Sequence, residues 1–253
     1  MFDWAVGTTL FILGIFLGSF LNVVSDRLFR KENFLTDRSK CEFCFHILKA
    51  KNLIPIFSFI FQKGKCSFCH QKLSLLYPIS ELLTGLSFVL AYYITIVKNL
   101  EINYLIYLLI IFSLFLIICF TDYKFYEIPF EIIVTGSIFA FLYRSLILKN
   151  LTFENLFSEI LSVVTIFIFF YLIIYFSKGG MGGGDLKLAC FISLVVGFPA
   201  NISALYFGFI LGGVFGIFVL LFRLKKLKSQ IPFGPFLILG AVLSFLFSFF
   251  SFI

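Results

Sequence analysis

The chain has 253 residues, of which 61% are apolar and only 13% charged, with 40 phenylalanines, a mean hydropathy of +1.08 and a formal net charge of +7. A soluble protein of this length must keep its exposed positions mostly polar and cannot hide so much apolar surface. The composition therefore excludes a water-soluble enzyme and makes the bilayer the main solvent.

A spanning helix needs roughly 20 mostly apolar residues. Lipid admits only helices or closed barrels, and long unbroken apolar runs without period-two alternation point to helices. In chain order the expected spans are 4–24, 78–97, 102–120, 132–143, 156–176, 186–198, 202–222 and 233–252, the fourth and sixth being short. The first is expected to be a retained span with its N-terminus outside. No Lys or Arg precedes it, no small-residue cleavage site follows it, and Arg27, Arg30 and Lys31 come after it. The fold class is thus an all-α integral membrane protein of about eight transmembrane helices. It divides into a first helix at 1–24, a cytoplasmic insertion at 25–77 and a polytopic domain at 78–253.

With the N-terminus outside, the loops after odd-numbered spans face the cytoplasm. They hold seventeen of the twenty basic residues: ten between Arg27 and Lys72, then Lys124, Lys178, Lys187, Arg223, Lys225, Lys226 and Lys228. Lys98, Arg144 and Lys149 are left outside, as the positive-inside rule expects. Were 186–198 re-entrant, the cluster at 223–228 would face outward, against that rule. The net charge reads first as topology and second as attraction to anionic headgroups. Membrane lipids are expected partners and nucleic acid is not.

The insertion after the first span is the only large polar segment. It carries Cys41-Glu-Phe-Cys44 and Cys66-Ser-Phe-Cys69, two C-x2-C pairs with 21 residues between them. Such pairs wrap four thiolates around one tetrahedral Zn²⁺. The alternative is two disulfides, which a cytoplasmic placement disfavours because thiols stay reduced there. With Cys41, Cys44, Cys66 and Cys69 all ligating, the metal has no open position and is structural. His46 and His70 are spare ligands or surface residues, and Cys119 and Cys190 are expected as small core residues.

Acidic residues at spanning segments are costly and usually functional. Asp122 ends the third span in Phe120-Thr-Asp-Tyr-Lys-Phe-Tyr-Glu-Ile-Pro129, and Asp185 opens the sixth in Gly179-Gly-Met-Gly-Gly-Gly-Asp185-Leu-Lys-Leu188. Span parity sets both at the cytoplasmic side. Facing carboxylates cannot both ionise cheaply, so they share a proton. The ionised member then takes a proton from water while the protonated one polarises a peptide carbonyl. Gly182, Gly183 and Gly184 leave room for a substrate backbone to approach Asp185, a helix N-terminus favours its ionised form, and Lys187 either adds to that or snorkels. Gly179 and Gly184 have P-loop spacing, but Asp185 stands where Lys is required. From the residues alone, a catalytic pair and ion-coupling or structural acids both remain open. An ion-coupled transporter or proton channel using Asp122 and Asp185 is the rival function, although no internal repeat supports it. A non-enzymatic assembly factor built around the cysteine loop is a third.

The sequence also resembles a known family. Gly182-Gly183-Gly184-Asp185 is similar to the GxGD signature of intramembrane aspartic proteases, and the wider pattern resembles bacterial type IV prepilin peptidases. The resemblance is carried by Gly18-Ser-Phe-Leu-Asn-Val-Val24 with Arg27, the cysteine pairs, and Tyr77-Pro-Ile-Ser-Glu81-Leu-Leu-Thr-Gly85. It continues through Asp122 with Ile128-Pro129, Gly184-Asp185-Leu-Lys-Leu188, and Pro232-Phe-Gly-Pro-Phe236. It implies that Asp122 and Asp185 are catalytic and that the substrates are prepilins or pseudopilins, cut after a glycine on the cytoplasmic side of the bacterial inner membrane. It also implies, for many members, methylation of the new N-terminus with S-adenosylmethionine. The family often has an acid directly after the proline, where this chain has Phe130 and then Glu131. Asn22, Arg27 and Glu81 fall in family motifs without an evident role, and the oligomeric state is not legible.

Overall fold

The computed structural model describes residues 2–33, 38–147, 153–177, 180–222 and 231–247. Lys149, Lys178, Gly179, Arg223, Lys225, Lys226, Lys228 and the last residues of the eighth expected span lie outside the described residues.

Apolar runs unbroken by Pro fold into α1 (Trp4–Arg30), α3 (Leu76–Val97), α4 (Ile102–Phe125), α5 (Phe130–Leu142), α6 (Phe153–Phe176), α7 (Gly183–Val196), α8 (Ala200–Leu221) and α9 (Gly234–Phe247). The short α2 (Phe57–Phe61) sits in the insertion between α1 and α3. No strand occurs among the described residues, only two isolated antiparallel bridges in the insertion. The protein is thus an all-α membrane protein. Five helices are long and apolar enough to cross a membrane: α1, α3, α4, the Phe157–Phe176 part of α6, and α8. The helices at the fourth and sixth expected positions are shorter, at 13 and 14 residues, and the one at the eighth is described as far as Phe247.

Three helix ends differ from the sequence expectation for local reasons. α1 runs six residues past 24 to Arg30, ending only when Lys31 turns left-handed (φ 55°) and closes the last turn onto the Arg27 and Leu28 carbonyls. α4 continues through Asp122 to Phe125, because nothing breaks it before the Ile128-Pro129 dipeptide. α7 begins at Gly183, so Asp185 lies inside its first turn.

The chain forms two compact units, Met1–Phe120 and Thr121–Ile253. In the first, α1 packs along α3. The contact is backbone-close: a Cβ on Gly14 would lie 2.7 Å from the Gly85 Cα, and one on Gly18 would lie 2.7 Å from the Thr84 hydroxyl. Small residues let helices without a hydrophobic drive between them gain packing contacts and are the usual seam in lipid.

In the second unit α7 is central. α5, α6, α8 and α9 all pack on it, and Leu188, Ala189 and Ile192 are fully buried. Because α7 is wrapped by protein rather than lipid, it can be short and can carry polar groups. Ser193 on α7, Ser162 on α6 and Asn201 on α8 form a buried hydrogen-bonded trio. An Arg144–Glu159 ion pair joins the segment after α5 to α6. Outward faces stay apolar, with Phe176 75% and Leu221 76% exposed, as lipid contact requires.

Candidate active site and metal centre

Asp122 lies one turn before the end of α4 and is only 5% exposed. Its Oδ2 accepts the Gly234 N–H at 2.9 Å, a contact between residues 112 apart in sequence. Gly234 is the first residue of α9, so Asp122 caps a helix N-terminus, where free N–H groups and the helix dipole favour negative charge. A side chain at 234 would collide: its Cβ would lie 2.7 Å from Asp122 Oδ2. The same Cβ would lie 3.4 Å from Leu188 Cδ2, and Leu188 sits one turn beyond Asp185 on α7.

Asp185 is the third residue of α7, half-buried, with Gly182 as the N-cap. Its carboxylate accepts the Gly182 N–H, the reach-back of a capping box that here has no side chain at the cap. Asp185 also feels the charge of Asp122 directly, so the carboxylates are electrostatic neighbours. Each therefore sits at the start of a different helix, and both helices are fixed by packing in the same unit.

The glycines separate into two kinds. A Cβ on Gly184 would touch the Ile128 side chain at 3.4 Å, so the turn before α5 packs on the start of α7. Gly183 has nothing within 4 Å of such an atom, and Gly182 meets only the Asp185 carboxylate at 3.5 Å and the Gly184 nitrogen at 3.9 Å. Among the described residues, nothing covers their outer side. Lys187 is exposed, and its ammonium sits 4.6 Å from the centre of the Phe130 ring.

The insertion brings Cys41, Cys44, Cys66 and Cys69 together, their sulfurs all within 4.8 Å of one another. All four are free thiols. The Cys41 and Cys69 sulfurs are 3.9 Å apart, whereas a disulfide needs about 2.05 Å. Tetrahedral ligation with Zn–S near 2.3 Å requires sulfurs about 3.8 Å apart, so the cluster fits a metal of that type.

Each pair is held by the same turn. Cys41 N–H bonds the His46 carbonyl and Phe45 N–H the Cys41 carbonyl; Cys66 N–H bonds Gln71 and His70 N–H bonds Cys66. The bridges Lys40–Ile47 and Lys65–Lys72 close them, and Phe45 and His70 both take left-handed φ, 55° and 56°. The Cys66 thiol is held down to about 7, first by the Cys69 N–H and then by that of Phe68. Cys69, which the Gln71 N–H lowers, is nonetheless pushed up to about 11 by desolvation and by the sulfurs of Cys66, Cys44 and Cys41. The sulfurs thus share protons unless a cation balances them. Neither histidine joins the cluster; His46 lies on the Phe68 ring at 3.6 Å. Cys119 and Cys190 are half-buried.

The motif residues left without a role now have partners. Arg27, 8% exposed, donates to the Asn33 and Arg38 carbonyls at 3.1 Å each. Asn22 donates to the Ser80 hydroxyl at 2.5 Å, and Glu81 accepts the Ile56 N–H at 2.7 Å. Together they tie the insertion to α1 and α3. Gly234 is the site residue that sequence reasoning passed over. Its signal was Pro232-Phe-Gly-Pro-Phe236, a glycine placed between prolines ahead of an apolar run.

The second unit brings Asp122 and Asp185 together on a polytopic helical scaffold, and the first carries a four-sulfur cluster on its polar insertion, features of a membrane protein rather than a soluble fold. Comparison with known sequences agrees. Residues 12–95 match the Bacterial Peptidase A24 N-terminal domain, and residues 109–217 match the Type IV leader peptidase family. The chain is 34% identical over 239 residues to a prepilin leader peptidase/N-methyltransferase of Bacillus subtilis, covering 94% of this chain and 93% of that protein. Proteins of the same name from Aeromonas salmonicida (27% identical; 96% and 91% covered) and Myxococcus xanthus (28%; 84% and 62%) are also similar. The chain belongs to the type IV leader peptidase family. No solved structure matches it.

Proposed function

We propose that this membrane peptidase is an aspartic endopeptidase that removes the leader of type IV prepilins or pseudopilins at the cytoplasmic face of the inner membrane, and that it then N-methylates the new N-terminal residue. The observation that carries the peptidase reading is the Asp122 carboxylate, buried against the Gly234 N–H and within the field of Asp185.

In this reading one carboxyl is protonated and the other ionised when substrate arrives. The ionised oxygen takes a proton from a water molecule as that water attacks the scissile carbonyl. The protonated carboxyl hydrogen-bonds the carbonyl oxygen and stabilises the developing charge. The proton then passes to the leaving amine, which restores the pair. The N-termini of α7 and α9 offset the repulsion of two adjacent acids. The open side of Gly182 and Gly183 is where an extended substrate backbone runs past Asp185. Seventeen of twenty basic residues on one side of the expected topology support cleavage at the cytoplasmic face.

The cysteine cluster would hold one Zn²⁺ through Cys41, Cys44, Cys66 and Cys69. With four sulfurs it has no open position, so zinc fixes the insertion and takes no part in cutting. Methylation rests on the double name of the relatives, with S-adenosylmethionine as donor. The test is to incubate the purified protein with a prepilin and S-adenosylmethionine and read the product by mass spectrometry. A new N-terminus after the leader glycine, bearing one added methyl group, is expected. Asp122→Ala and Asp185→Ala should each leave the prepilin uncut while still inserting in the membrane. Full cleavage by either variant would end the dyad proposal, and ion flux without cleavage would favour a channel.

A further inference from the structure

Within the first unit, the short α2 (Phe57–Phe61) has two unlike faces. Ser58 and Phe59 are half-buried and line the space between the insertion and the α1–α3 pair. Phe57, Ile60 and Phe61 stand on the opposite face, at helical spacing i, i+3 and i+4, and are 62%, 61% and 81% exposed. Leu53 and Ile54, just before the helix, are exposed as well. Single exposed apolar side chains are ordinary, but a contiguous group marks a contact surface.

The level of this face is set by Glu81. Glu81 lies on α3 five residues beyond Leu76, about 7.5 Å along the axis. It accepts the Ile56 N–H at 2.7 Å and the Ser19 hydroxyl, and a Cβ on Gly18 would lie 2.9 Å from its Cα. Gly18 and Ser19 are well inside α1, which ends only at Arg30. Both α1 and α3 are long and apolar enough to cross a membrane. α2 therefore starts level with the interior of two crossing helices, not beyond their ends, and its aromatic face meets the margin of the bilayer.

The charge around α2 has one sign. No acid occurs between Glu42 and Glu81, whereas Lys49 and Lys51 precede the helix, Lys63 and Lys65 follow it, and all four are exposed. Rings that enter the headgroup–acyl boundary between flanking lysines suit a leaflet of anionic phospholipid, which supplies apolar depth and phosphate at one place. We propose that this face anchors the insertion to the membrane beside α1 and α3. Phe57, Ile60 and Phe61 insert among the upper acyl chains, and Lys49, Lys51, Lys63 and Lys65 bind anionic headgroups.

Trp4 is the only tryptophan, so Phe61→Trp in a Trp4→Phe background gives the full-length protein a single reporter at the tip of α2. The protein is placed in nanodiscs of phosphatidylcholine with phosphatidylglycerol, one of the two lipids brominated high on its acyl chains. Tryptophan emission is expected to be quenched by brominated lipid, more by brominated phosphatidylglycerol than by brominated phosphatidylcholine, and little by acrylamide in the water. Replacing Lys49, Lys51, Lys63 and Lys65 together by Gln should abolish the preference for phosphatidylglycerol. Circular dichroism and the unfolding temperature confirm that both variants are folded. Free access of acrylamide with no loss from brominated lipid would overturn the proposal. So would equal quenching by the two lipids, which removes the headgroup contacts, or shielding that appears only when a prepilin is added, which assigns the face to substrate.

Discussion

The cysteine insertion and the carboxylate site reach a fixed geometry by different routes. In the insertion, each C-x2-C pair is closed by its own turn, with the same hydrogen bonds and the same left-handed residue after the second cysteine. Only the joining of two prebuilt halves remains, and the proposed metal among the four sulfurs would supply that. The carboxylates have no such local frame. Asp122 depends on a glycine 112 positions away, and Asp185 on a helix surrounded by four others. A site made of short turns is set largely by its own segments. One made of helix ends is only as exact as the packing of the whole unit.

The largest expected effects lie at the carboxylates. Asp122→Asn and Asp185→Asn keep size and hydrogen bonding but remove the shared proton. Each should lower cleavage by about 10³-fold or more, since general acid–base groups typically contribute 10²–10⁴. Single-turnover cleavage of a prepilin measures it. A loss of only a few-fold in either variant would mean that the acids do not work as a pair.

Next is the metal. Cys41→Ser with Cys66→Ser should reduce bound zinc from one per chain to none, measured by elemental analysis. Structural zinc sites contribute apparent binding energies of about 10–16 kcal/mol in small domains, so residues 39–73 should become open to protease while α1 and α3 stay resistant. Cleavage at the carboxylates should fall far less than in the aspartate variants, because none of their described partners comes from the insertion. Equal loss in both would erase the contrast between the two regions. Wild-type protein purified without zinc would refute the metal assignment.

Gly234→Ala tests the dependence on packing. The added Cβ would meet Asp122 Oδ2 at 2.7 Å, so the carboxylate must turn away from the N-terminus of α9. Overpacking of this kind costs typically about 1–3 kcal/mol, and small displacements in an active site cost activity steeply. Cleavage should drop by about 10–100-fold with insertion and zinc content unchanged. An unaffected Gly234→Ala enzyme would show that the Gly234–Asp122 contact does not position the acid.

The same contrast explains what could be read from the chain alone. The C-x2-C pairs announce their cluster because ligand spacing and turn geometry are both local. The helical membrane fold was legible from apolar run length, and the type of each acid's surroundings from its place at a helix end. Helix ends such as Arg30 and Phe125 were not, because capping and the next breaker rather than hydrophobicity decide them. Gly234 was visible as a motif but not as a partner of Asp122, since no local pattern encodes a contact between helices four and nine. The short helices α5 and α7 were expected as spans although they fall below a length rule that assumes lipid on all sides, which does not describe the buried α7.

Lys187 gives the smallest effect. On sequence it stands two residues after Asp185 and is positioned either to stabilise that carboxylate or to reach the headgroups. Its ammonium instead rests over Phe130, the residue that occupies the place where the family pattern often has an acid. The ring face provides partial negative charge without a competing carboxylate, a contact worth about 0.5–1 kcal/mol at an exposed site. Lys187→Met should therefore lower thermal stability by no more than that and change cleavage by less than about threefold. Phe130→Asp in the wild-type background should exchange the ring contact for an ion pair of similar strength, but one that weakens with added salt. Unfolding in detergent at low and high ionic strength distinguishes the two contacts. If Lys187→Met instead moves the pH profile of cleavage, the lysine acts on Asp185, and the ring contact is only where it waits before substrate binds.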